Sequence, residues 1–155
     1  MGRRRLAREV ALQALYVADV SRTPAEEAFA IVVRRDGDEL DAETREFARE
    51  LTLGTLARIE ELDAKIQERA ENWAVNRMAA VDRNVLRLAA YELIARPDTP
   101  VGVVIDEAIE IVRKYSAEEA TRFVNGILDA LKSLREPPKP KARRKKKDAT
   151  PPSQP

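Results

Sequence analysis

RRRLAREVALQALY, Arg3 to Tyr16, decides how the rest of the chain is read. Arg3 to Arg8 holds four arginines, while Val10 to Val20 is nearly all apolar. Such a segment predicts one helix with a basic end and a body that must be buried. At about 100° per residue, Arg5, Glu9, Gln13 and Tyr16 fall on one narrow arc, with Arg8 roughly 60° to one side. A helix otherwise wrapped in Leu, Ala and Val thus carries a polar strip, cationic at the top and aromatic at the bottom. Guanidinium groups suit phosphates and a ring face suits a base, which is what a single-stranded nucleic acid requires. A solvated helix start with Tyr16 in the core satisfies the same pattern, and this stretch alone leaves both readings open.

Working outward, helical spacing continues to the end of the ordered sequence. The first helix is expected from about Arg3 to Val20. Thr23-Pro24-Ala25-Glu26 carries helix-start signals for a second, to about Arg35. Asp36-Gly37-Asp38 breaks it. Leu40 and Asp41 open a third, which Phe47, Leu51, Gly54 and Leu56 continue to Leu62, and Asp63 starts a further turn or two. Asn72 to Met78 is poorly periodic, a short turn pinned by Trp73. Val81 to Arg96 and Val101 to about Lys114 are strongly periodic, separated by Pro97 and Pro100. Ser116-Ala117-Glu118-Glu119 has the form of a capping box before a last helix to Arg135. No stretch alternates with period two, so the fold class is all-α with about seven helices.

Composition removes several function classes. The 155 residues include no cysteine and no histidine, so disulfides, thiolate sites and the commonest general base are absent. The five glycines are scattered and form no phosphate loop. Asp106, Glu107 and Glu110 could gather a Mg²⁺ ion, but a solvated helix face is the simpler account. No catalytic residue, metal site or cofactor is expected. No apolar run approaches a membrane span, and the apolar part of the first helix lacks a cleavage site, so a cytoplasmic protein is expected.

The net charge of +1 hides a segregation. Residues 1–9 carry four arginines against one Glu, and residues 136–155 seven Lys and Arg against two acids, leaving residues 10–135 net acidic. Two basic ends on an acidic body point to an anionic partner at particular places. The division is therefore a helical domain, 1–135, and a Pro/Lys/Arg-rich tail, 136–155, expected to be disordered because it has no large apolar residue. Within the last helix, Phe123-Val124-Asn125-Gly126 sets an amide and a glycine among apolar residues, at about 1 kcal/mol for the glycine against alanine. A glycine there would allow another helix, or a ligand, to come close. Arg122 beside Phe123 repeats the cation-and-ring pairing of the first helix. Packing of the last helix on the first would join the two into one patch.

Three stretches, RRRLAREVALQALY, VDRNVLRLAAYEL (81–93) and VVIDEAIEIVRKYSAEEATRFVNGILD (103–129), resemble the NusB family of transcription antitermination factors. The resemblance covers the first helix and nearly all of 72–135; residues 22–70 match only in pattern, and the tail lies outside it. It implies a compact bundle in two subdomains and a non-catalytic protein that binds single-stranded boxA RNA together with NusE, a small-subunit ribosomal protein. The pair would act on RNA polymerase to support antitermination and ribosomal RNA transcription. The RNA contacts it implies fall on Arg3, Arg4, Arg5, Arg8, Gln13, Tyr16, Arg122 and Phe123, and a NusE contact on Asp82. Glu119 matches a position whose change alters factor function, which the capping box explains equally well. Some members dimerise, so the oligomeric state stays open. A detached methyltransferase-type NusB-like domain would need a downstream α/β domain and a cysteine. A helical protein adaptor without specific RNA binding remains the alternative.

Overall fold

A computed structural model describes residues 2–36 and 40–135. The tail, the Gly37-Asp38 break and Met1 lie outside the described residues. Seven α-helices are present and no strand occurs among the described residues: α1 (Gly2–Val20), α2 (Ala25–Asp36), α3 (Ala42–Ala57), α4 (Ile59–Arg69), α5 (Ala80–Ala95), α6 (Val101–Tyr115) and α7 (Glu118–Leu131). Short 3₁₀ turns occupy Val75–Arg77 and Lys132–Leu134.

Two helices are buried over wide faces because several neighbours surround them. α1 packs on α2, α3 and α5, and Ala7, Val10, Ala11, Leu12, Ala14 and Leu15 are buried along it. α5 touches α1, α3, α4, α6 and α7, and every residue from Asn84 to Leu93 is buried. The helices α1–α3 form one packed group and α4–α7 another, with α5 shared between them. No helix among the described residues is long and apolar enough to cross a membrane.

Because α5 is buried on all sides, its polar residues must find partners inside. Arg87 donates from Nε and Nη2 to both oxygens of Asp63 on α4, at 2.7 and 2.8 Å, and from Nη1 to Asp19 on α1 at 3.1 Å. Arg83 grips the same Asp19 at 2.7 and 3.0 Å, and Asn84 adds a bond at 2.9 Å. This network ties the end of α1 to α4 and α5, joining the two groups.

Several local expectations are corrected. The third helix ends at Ala57; Arg58 leaves helical geometry and its side chain pairs with Glu61 at 3.0 and 3.1 Å. Neither glycine nor proline marks this break, and only the acids Glu60 and Glu61 signal the start of α4. Asp63 lies inside α4 because its partner is Arg87. Gly54 is where α3 and α5 close up: a Cβ there would sit 2.2 Å from the Tyr91 hydroxyl. Gly126, by contrast, faces open space, so no helix closes on it. Trp73 does not pin its turn from inside; it is 52 % exposed, and Val75 is the buried residue. The turn is held instead by Gln67, which accepts from the Val75 amide and donates to the Trp73 and Ala70 carbonyls.

Candidate nucleic-acid interface

The seam between α1 and α6 accounts for much of the polar strip on α1. Arg5 donates from Nε and Nη2 to both oxygens of Glu107 at 2.8 and 2.9 Å. Glu9 accepts from Lys114 Nζ at 2.9 Å and from the Tyr115 hydroxyl at 3.0 Å. Gln13 accepts from Arg35 at 2.7 Å and donates weakly to the Tyr115 hydroxyl at 3.5 Å. Arg5 and Glu9 are polar because their partners stand on α6, and Gln13 because Arg35 of α2 reaches it. Tyr16, the last member of the strip, has no hydrogen bond among the described residues and is 42 % exposed. Its ring is on the surface, so Tyr16 is not a core residue.

The charges answer to this seam. The bond from Glu107, then its charge, raises the Arg5 guanidinium above its ordinary value, and the same bond holds the Glu107 carboxyl below the usual range. Burial, then the bond to Glu9, pushes the Tyr115 phenol up. Arg5 keeps about a third of its side chain exposed.

At the start of α1 the arginines diverge. Arg3 is largely exposed and pairs with Asp41 at 3.0 Å, the residue that also caps α3 through the Thr44 amide. Arg4 stacks on the Phe47 ring, its guanidinium carbon 4.1 Å from the centroid, with Arg96 4.8 Å away on the same ring. Arg8 is 4 % exposed and bound two-pronged to Glu92, so its guanidinium faces the core. The 60° offset of Arg8 from the strip turns it towards α5.

Asp82 is likewise buried and accepts from the Ser116 hydroxyl at 2.5 Å. This bond also undoes the expected capping box: Ser116 is turned towards α5, Ala117 occupies the cap position without a side-chain bond, and Glu119 is exposed. Of the three acids considered for Mg²⁺, Glu107 faces Arg5 and Glu110 faces Arg113 at 2.7 Å. No group of three metal-ligating side chains occurs among the described residues.

Beyond Tyr115 the surface continues into an open groove of about 690 Å³ lined by Arg113, Ser116, Glu118, Thr121, Arg122 and Asn125. Arg122 is exposed and has no hydrogen bond or ion pair among the described residues. Phe123, next to it, is partly buried, and Trp73 leans on it with centroids 5.2 Å apart and planes at 54°. α7 packs on α4, α5 and α6, and α1 on α2, α3 and α5. The two cation-and-ring pairs are therefore not joined by direct packing of α1 on α7; the end of α6 bridges them. Sequence reasoning missed Tyr115 as that bridge and Trp73 as a surface ring, and the aromatic character of both was the available signal.

A profile described as the NusB family matches residues 5–133. The chain belongs to the NusB family. It is 48 % identical over 137 residues to the transcription antitermination protein NusB of Elusimicrobium minutum, covering 87 % of this chain and 96 % of that one. Among solved structures, it is similar to T. maritima NusB, with TM-score 0.78, 37 % identity, and 86 % and 93 % of the two chains covered. It is similar also to the NusB chain fold seen in a crystal structure of antitermination factors NusB and NusE in complex with dsRNA, with TM-score 0.78 and 32 % identity over 86 % and 98 % of the chains. The all-helical architecture and the transcription antitermination class expected from the three motifs are those of this NusB family.

Proposed function

We propose that this protein is a non-catalytic transcription antitermination factor that binds single-stranded boxA-type RNA together with NusE, within the RNA polymerase antitermination complex of the cytoplasm, and supports ribosomal RNA transcription. The observations that support the reading are the exposed arginines Arg3 and Arg4 and the exposed ring of Tyr16 on α1, with Arg5 and Gln13 between them, and the exposed Arg122 beside Phe123 on α7. Guanidinium groups hold phosphates there, and Tyr16 and Phe123 offer stacking worth roughly 1–3 kcal/mol per base. Trp73 backs Phe123 and widens that platform. The similar solved structure of antitermination factors NusB and NusE in complex with dsRNA supports NusE and RNA as partners here, while the single-stranded boxA preference rests on the resemblance of the motifs. Arg8 and Asp82 have no direct part; they position α1 and the start of α7.

A gel-shift titration with a short boxA RNA, with and without NusE, tests it. The reading expects retardation that a scrambled RNA does not reproduce and that NusE strengthens. Equal retardation of boxA and scrambled RNA under both conditions, or none of either, would favour a helical protein adaptor without sequence-specific RNA binding.

A further inference from the structure

The four arginines of the opening run differ in what already occupies their donors. Arg3 pairs with Asp41 at 3.0 Å, Arg5 with both oxygens of Glu107, and Arg8 with both oxygens of Glu92. Arg4 makes no hydrogen bond or ion pair among the described residues. A ring holds it instead: its guanidinium carbon lies 4.1 Å from the Phe47 centroid. Such a contact uses the electron density of the ring and no carboxylate, so the guanidinium keeps its charge and its N–H donors for a phosphate. Arg4 is exposed, whereas Phe47 is 8 % exposed. The side chain is therefore supported from within the fold and open to solvent.

Phe47 stands in the second turn of α3 and gathers two further guanidiniums, Arg96 at 4.8 Å and Arg8 at 5.7 Å. Both are compensated, Arg96 by Glu50 at 2.6 Å and Arg8 by Glu92. Arg4 is the one of the three that no carboxylate answers among the described residues. Cavities of about 190 and 330 Å³ adjoin it. Glu43 lines the first, and Asp98 and Glu107 the second, yet none of these acids pairs with Arg4. A free arginine loses rotamer freedom when it takes a phosphate, and a rigid ring beneath it removes part of that loss before the ligand arrives.

We propose that Arg4 is the pre-set phosphate anchor among the α1 arginines, and that Phe47, itself too buried to meet a ligand, is its positioning residue. This inference rests on the RNA-binding reading above and ranks the residues within it. Arg4 takes an RNA phosphate without giving up an internal partner. Arg3 and Arg5 must first release or share an acid, and Arg8 is committed to Glu92.

The test titrates boxA RNA across a salt series with the full-length native protein, R4Q, F47L and the double variant R4Q/F47L. F47L removes the ring and keeps an apolar side chain; F47Y keeps the ring, and F47M is the second ring-less variant should F47L unfold. R4Q is expected to flatten the plot of log K against log salt by about 0.7 units, and to lose more affinity than R3Q. F47L is expected to weaken binding about two- to five-fold, the scale of an exposed cation–π contact. In the R4Q background the same change is expected to do nothing further, and F47Y to bind as the native protein does. Equal losses from F47L in both backgrounds would show that the ring acts through packing alone and overturn the positioning role. F47L without effect beside a weakened R4Q would overturn it as well. An unchanged salt slope in R4Q, with boxA still preferred over scrambled RNA, would remove Arg4 as the anchor and leave the RNA-binding reading standing. No boxA preference in the native protein would remove that reading, and the proposal with it.

Discussion

The guanidinium of Arg8 meets the carboxylate of Glu92 in a parallel pair of bonds, Nε to Oε2 at 2.7 Å and Nη2 to Oε1 at 2.9 Å, between the two central helices α1 and α5. Both side chains are almost wholly removed from water. Such a pair adds little over a well-packed apolar one, but breaking it strands a buried charge at a cost of about 3–5 kcal/mol. Arg8→Ala is therefore expected to lower unfolding stability by that amount in urea titration, and R8M/E92L to recover most of the loss. A single variant within about 1 kcal/mol of the native protein would contradict the pairing.

The two helix-interior glycines are expected to respond with opposite signs. At Gly54 a methyl group would meet the Tyr91 ring at 2.2 to 2.6 Å, so Gly54→Ala should destabilise by about 1–3 kcal/mol despite its better helix propensity. At Gly126 nothing lies within 4 Å, and Gly126→Ala should stabilise by up to about 1 kcal/mol. Thermal unfolding of both variants checks the pair; shifts of the same sign would refute it.

Acid should loosen the joint at Asp19. Burial alone would push its carboxyl up, but the bonds from Arg83 and Asn84 and the charges of Arg83 and Arg87 outweigh it, and the group sits below its ordinary value. A depressed carboxylate contributes stability above its unfolded value of about 3.9 and loses it as pH falls through the folded value. Stability measured from neutral pH down to about pH 2 should fall less steeply in Asp19→Asn than in the native protein. Parallel slopes would show that Asp19 is not a linked group.

Much of this was legible beforehand, because long periodic helices with apolar faces dictate their own burial. The seven helices and the boundaries near Pro24, Pro97 and Pro100 follow from local pattern, whereas the pattern left Tyr16 open between core and surface. What escaped was set by partners distant in sequence. Arg5 and Arg8 look alike in the first turns of α1, yet one faces Glu107 on α6 and the other Glu92 on α5. Ser116 has the spacing of a cap but finds Asp82, 34 residues earlier, instead of the amides of α7. The Arg58 break carries no glycine or proline, so nothing local announces it.

The electrostatic part of the interface should separate from the stacking part. Arg5→Ala is expected to flatten the salt dependence of RNA binding by about 0.7 units for a single-strand phosphate contact. Tyr16→Ala should leave that slope unchanged while weakening boxA RNA by about 1–3 kcal/mol and duplex DNA far less. Titrations at several salt concentrations read both, and equal loss for RNA and DNA would count against a stacked base.

The most direct measurement is ultraviolet crosslinking of the NusE-bound protein to boxA RNA, with the attached peptides mapped by mass spectrometry. Adducts at Tyr16 on α1 and at Phe123 or its neighbour Trp73 are the predicted result. Adducts confined to α2, α3 and α4 would place the RNA on another face and contradict the account.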